Sequence, residues 1–97
     1  MRVEDIRAIF RNAGDFEERN VRAGGQTLTA FFIDGLTSGG DIAEYVVRPL
    51  TELAPGSAAE LYARARDGGV WCASVSEADT PDAAAQKLVN GFCVVVF

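Results

Sequence analysis

The sequence predicts an α/β domain of mixed (α+β) type, a four-stranded mixed sheet with helices packed on it in the order α-β-β-α-α-β-α-β. Three observations lead there. Two runs, 28–33 and 92–97, are almost unbroken in aliphatic and aromatic side chains, the pattern of strands covered on both faces. Other stretches repeat apolar residues at helical spacing and open on capping residues. The last third, from Val70 on, reads as strand–helix–strand, for which a parallel, right-handed crossover is strongly favoured.

The first helix is expected over 3–13, where Val3, Ile6, Ile9, Phe10 and Ala13 share a face and Gly14 stands at a left-handed cap position. Residues 15–23 follow as a strand so rich in Glu and Arg that it suits a sheet edge. Gly24-Gly25 makes a short hairpin turn into the apolar run 27–33, so that pair is antiparallel. A second helix begins at Asp41 as N-cap with Glu44 three positions on. Pro49 lies inside its apolar pattern, where it removes a donor and crowds the preceding turn, so a kink or an early end is expected near residues 47–48. The third helix covers 57–67, with Ser57 and Glu60 as a second capping box and Gly68-Gly69 as its stop. Residues 70–75 alternate between two usable faces, as a strand does. Thr80 caps a fourth helix with Pro81 at its first position, and Asn90-Gly91 closes it. The wholly apolar run 92–97 is then expected as a central strand. The chain stops on the last residue of that run, as a fragment cut at a domain edge would.

A length of 97 residues argues for one domain, and 48% apolar with 24% charged residues is an ordinary globular balance. The net charge of −5 and the scatter of nine basic residues argue against a nucleic-acid surface. No run approaches the roughly 20 apolar residues of a membrane span, and the N-terminus lacks a signal-peptide pattern. The polypeptide therefore reads as soluble.

With no histidine, a catalytic triad of the usual kind and a structural zinc site both lack members. Cys72 and Cys93 read as buried thiols acting as small hydrophobes, and a disulfide is conceivable only if their strands are neighbours. Asp34 falls at the carboxyl end of an expected central strand, where α/β folds place ligand sites, although Asp34-Gly35 also suits an ordinary turn. Acid–base chemistry would require Asp34 and Asp15 together in a cleft. The loop 35–40 leads into a helix N-terminus that suits an anion, but it carries neither nucleotide-binding glycine motif. Tyr45, Tyr62 and Trp71 suit either the core or the lining of a small-molecule pocket.

Several of these segments together resemble the spore germinant receptor A-subunit family (the GerA type). The opening helix followed by Gly14-Asp15-Phe16 and Arg19, the strand ending in Ile33-Asp34-Gly35-Leu36, Val47-Arg48-Pro49-Leu50, and Leu88-Val89-Asn90-Gly91 before Val94-Val95-Val96 are similar to that family's motifs in order and spacing. The resemblance spans essentially the whole chain, although the family's last strand generally runs on to Asp-Gly. It implies the first subdomain of an extramembranous N-terminal region, outside the bilayer of the spore inner membrane. A second subdomain and a membrane domain of the same chain would follow, with B and C receptor subunits as partners. The implied function is to sense or relay an amino acid or sugar germinant, without catalysis, cofactor or metal. The alternative is a structural assembly module with no ligand of its own. Ligand or inter-domain contacts are expected at Asp15, Asp34, Gly35, Leu36, Thr37 and Ser38.

Overall fold

The hairpin expected around Gly24-Gly25 is the centre of the fold. In the computed structural model, which describes residues 1–72 and 74–97, β1 (Phe16–Ala23) and β2 (Gln26–Ile33) pair antiparallel in the register Ala23 with Gln26 through Phe16 with Ile33. Both turn glycines have positive φ, 55° and 84°, the backbone a two-residue turn needs to match strand twist. On the other side of β2, β3 (Val94–Val96) also runs antiparallel, giving the spatial order β1-β2-β3.

Four helical segments accompany these strands among the described residues. α1 is Val3–Ile9. α2 (Gly39–Ile42) continues without a break through a wide π turn, Ala43–Val47, into α3 (Arg48–Thr51). α4 (Ala58–Arg64) extends to Gly68, whose φ of 113° ends it, and α5 is Pro81–Val89.

The sheet is covered on both faces. Leu28 and Ala30 of β2, with Val21 and Ala23 of β1, pack against Ile42, Val46, Val47, Leu50 and Ala65. Phe31 and Ile33 point the other way, against Ile6 of α1 and Ala84 and Leu88 of α5. Phe16 bridges the stacked rings of Phe10 and Phe31, with centroids 4.8 and 5.1 Å away. β2 is thus the inner strand that its composition predicts, and β1 the polar edge. Arg7 of α1 makes a two-pronged ion pair with Glu18 on that edge, both contacts 2.6 Å. The Cα radius of gyration, 12.5 Å, is that of one domain of this length, about 13 Å.

The four-stranded mixed sheet is not what forms. Residues 70–72 and 74–75 are not strand, and Ala73, in the middle of the expected strand, lies outside the described residues. The cause is visible in the hydrogen bonding. The Trp71 amide donates to the Tyr45 carbonyl on the preceding helical segment, 3.0 Å away, so this backbone is tied to a helix and not to β3. Among the described residues no strand stands there to make a parallel crossover, and β3 pairs with β2 alone. The element order becomes α-β-β-α-α-α-β, counting the 39–51 segment once and the turns of residues 58–69 once. Of the run 92–97 only Val94–Val96 is strand, at the sheet edge and with every valine half-buried, and Phe92 is 41% exposed.

Smaller corrections concern helix ends. α1 stops at Ile9, and Gly14 is not among the positive-φ glycines. The second helix is capped by Ser38, whose Oγ accepts from the Asp41 amide at 3.3 Å, with Asp41 in the first turn and not at the cap. The Ser57–Glu60 capping box and the Thr80 cap form as expected.

Candidate functional site: a cavity beside β3

Pro49 sets one wall of the candidate site. It has no amide proton, so the carbonyl four residues earlier, that of Tyr45, is left without its helical partner. The helix does not break; the wide turn at Ala43–Val47 absorbs the proline ring. The freed Tyr45 carbonyl accepts from the Trp71 amide at 3.0 Å and faces the Cys72 sulfur at 3.7 Å. Residues 70–72 are thereby fastened to the helix. Trp71, 49% exposed, lies over the Arg48 guanidinium at 5.7 Å.

The other wall is β3. Its inner edge pairs with β2, and no described residue pairs with its outer edge. Between the walls is a cavity of about 610 Å³, a size typical of small-ligand sites. Val70 and Cys72 flank it on one side, and Cys93, Val95 and Phe97 on the other. Its polar groups are of both signs: Arg66 and Lys87, Glu77 and Asp79, with the Tyr62 hydroxyl.

These groups are held in place by local contacts. The Tyr62 hydroxyl donates to the Glu77 carboxylate, which raises the phenol above its ordinary value, and burial adds to the rise. The Tyr62 ring meets Phe97 edge-on at 5.4 Å. The Lys87 ammonium sits 4.9 Å from the centre of the Phe92 ring. Arg66 bonds Asp67 at 3.0 Å, which raises its guanidinium further.

The residues singled out from the sequence lie at one end of the sheet, beside this cavity. The Asp34 amide donates to the Asp15 carbonyl at 2.8 Å, so these two aspartates are neighbours, both exposed, at the ends of β2 and β1. Neither lines the cavity. Gly35 has φ 90°, the backbone of a tight turn, and the Leu36 and Thr37 amides both donate to the Ile33 carbonyl. With the Asp41 amide bonded to Ser38, the Leu36, Thr37 and Asp41 amides are engaged within the protein. Thr37 alone of the six reaches the cavity. Its hydroxyl donates to the Gly91 carbonyl at 2.6 Å, linking the Asp34 turn to the turn before β3. Ser38 caps α2, and Leu36 is 56% exposed.

Of the three aromatics, Tyr62 lines the cavity, whereas Tyr45 and Trp71 are about half exposed, neither core nor lining. Cys72 is exposed, contrary to the expectation of a buried thiol, and Cys93 is half-buried. Arg66, Glu77, Asp79 and Lys87 have no sequence signal as a set. They come from three segments, with Glu77 and Asp79 on the one between α4 and α5, and only the fold gathers them.

Among the described residues no group of three or more metal-binding side chains occurs, and no helix is long and apolar enough to cross a membrane. Comparison with protein-family models, with curated proteins and with solved structures gives no match to this chain.

Proposed function

We propose that the domain is a non-catalytic sensing module that takes a small zwitterion, an amino acid, into the cavity beside β3 and passes the event to a neighbouring subdomain. The observation that carries this reading is the cavity's charge pattern. Arg66 and Lys87 suit a carboxylate, Glu77 and Asp79 suit an ammonium, and the valines and Phe97 suit a side chain. A sugar would find hydroxyl partners there but no use for the paired charges.

The resemblance to germinant receptor A subunits supports the same role. Three of its motif segments, Gly14-Asp15-Phe16, Asp34-Gly35-Leu36 and Asn90-Gly91, meet at one end of the sheet, joined by the Asp34–Asp15 and Thr37–Gly91 hydrogen bonds. A ligand that moves Phe92 or Gly91 moves this end too, which provides a relay based on differential contacts in two states. In that reading the parent is a membrane receptor subunit acting with B and C subunits, and the domain lies outside the bilayer.

Calorimetry with single amino acids and with sugars tests the reading. Saturable heat with an amino acid, weakened about tenfold or more by Lys87→Met, is expected. No heat with any amino acid or sugar counts against it. A second reading, a docking module without its own ligand, draws on Leu36, Val89 and Phe92, which are exposed by 56, 52 and 41% around the Gly91 turn. Loss of association with the second subdomain in Leu36→Asp, without any ligand heat, would favour it.

A further inference from the structure

We propose that Cys72 and Cys93 form a redox pair, joined by thiol–disulfide exchange with a small disulfide such as oxidised glutathione, so that the two walls of the cavity are stapled together. Both cysteines line the same cavity, Cys72 on the segment fastened to Tyr45 and Cys93 at the entry to β3, close enough for each thiolate to feel the other's charge. They are separated by 21 positions of sequence (93 − 72), including all of α5, yet share one space. Cys93 alternates with Val94, so it faces the same side as Val95 and Phe97, the side that Val70 also packs against. The inference does not rest on the ligand reading.

The two thiols have different roles. Cys72 is exposed and attacks first: its thiolate forms a bond to one sulfur of the oxidised glutathione, whose S–S bond breaks and releases one glutathione thiolate that takes up a proton. Cys93 then loses its proton and attacks the Cys72 sulfur. The mixed disulfide breaks, a second reduced glutathione leaves, and the protein has given up two electrons and two protons to the reagent. Burial pushes the Cys93 thiol up to about 12, and the nearby Cys72 adds to the rise. The second step is therefore the slow one. Below that value it should quicken about tenfold for each unit by which the pH is raised, as the thiolate fraction grows.

Intact-mass spectrometry of the full chain in oxidised glutathione, followed by peptide mapping, is the test. The expected result is a transient single adduct on Cys72, then a monomer lighter by two hydrogens with the Cys72 and Cys93 peptides joined, reversed by dithiothreitol. Cys93→Ser should hold the adduct on Cys72, and Cys72→Ser should leave Cys93 unmodified at neutral pH. A persistent adduct in the unsubstituted chain, a disulfide between two chains, or no modification at all would each overturn the proposal.

Discussion

The two apolar runs of this chain, 28–33 and 92–97, are both nearly unbroken in apolar side chains and meet opposite fates. Residues 28–33 in β2 are flanked by β1 and β3 and covered by helices on both faces, with Phe31, Ala30 and Leu28 at 0–1% exposure. Val94–Val96 have helices near both faces but, among the described residues, a partner on one edge only, and these valines stay half-buried. The difference lies in neighbours and not in hydrophobicity. An apolar run reports a wish to be covered; the backbone donors and acceptors of other segments decide whether it is. Here the Trp71 amide is spent on a helix carbonyl, and no described residue pairs with the outer side of β3.

Substitutions on the two runs should separate these fates most widely. Phe31→Ala removes a fully buried ring and should cost about 3–5 kcal/mol in urea unfolding, whereas Val95→Ala on the edge should cost about 1 kcal/mol. Equal costs would mean that β3 is as enclosed as β2.

The hairpin turn sharpens the contrast. A Cβ on Gly24 would meet Leu61 Cδ2 at 2.8 Å and the Ala54 carbonyl oxygen at 2.9 Å, while one on Gly25 meets nothing within 4 Å, although both have positive φ. Gly25→Ala should therefore cost about 1 kcal/mol from backbone strain, and Gly24→Ala should cost more, on the order of 2–3 kcal/mol. Thermal unfolding of the two variants checks the order.

Pro49→Ala examines the open side. It returns an amide proton that competes for the Tyr45 carbonyl, so the Trp71 amide loses its acceptor. The chain has a single tryptophan, which makes the readout clean: Trp71 emission should shift to the red with little change in overall stability. An unchanged spectrum would show that residues 70–72 are held by something else.

The smallest effect belongs to the edge of β1. The Arg7 guanidinium holds the Glu18 carboxyl below its ordinary value, first by the hydrogen bond and then by charge. A lowered folded value means that the stabilisation is complete above the ordinary 4.5 and is lost as pH falls through the folded value. Because both side chains are partly exposed, the contribution is about 0.5–1 kcal/mol. Glu18→Gln should remove it at pH 7 and leave stability at pH 2–3 nearly unchanged.

Local chemistry in the sequence went a long way. The Gly24-Gly25 hairpin, the Ser57 and Thr80 caps, the Gly68 and Gly91 stops and the enclosed run 28–33 follow from residues within a few positions of one another. The hairpin also brings Asp15 to Asp34, so that pairing was legible too. What was not legible depends on distant partners. The alternation over residues 70–75 is a sound strand pattern, but the Tyr45 carbonyl released by Pro49 captures its donor. Ser38 takes the cap from Asp41, and the helix begins at Gly39 although glycine is a poor helix former. The cavity's charges come from α4, α5 and the intervening segment, and no spacing rule connects them.

Amide hydrogen exchange along β3 is the most direct measurement. The β3 amides that do not bond β2 should exchange at least about a hundredfold faster than those of β2, which open only with global unfolding, and a bound amino acid should slow them. Equal protection along both edges of β3 in the free protein would contradict the open edge, and with it the cavity on which the functional reading stands.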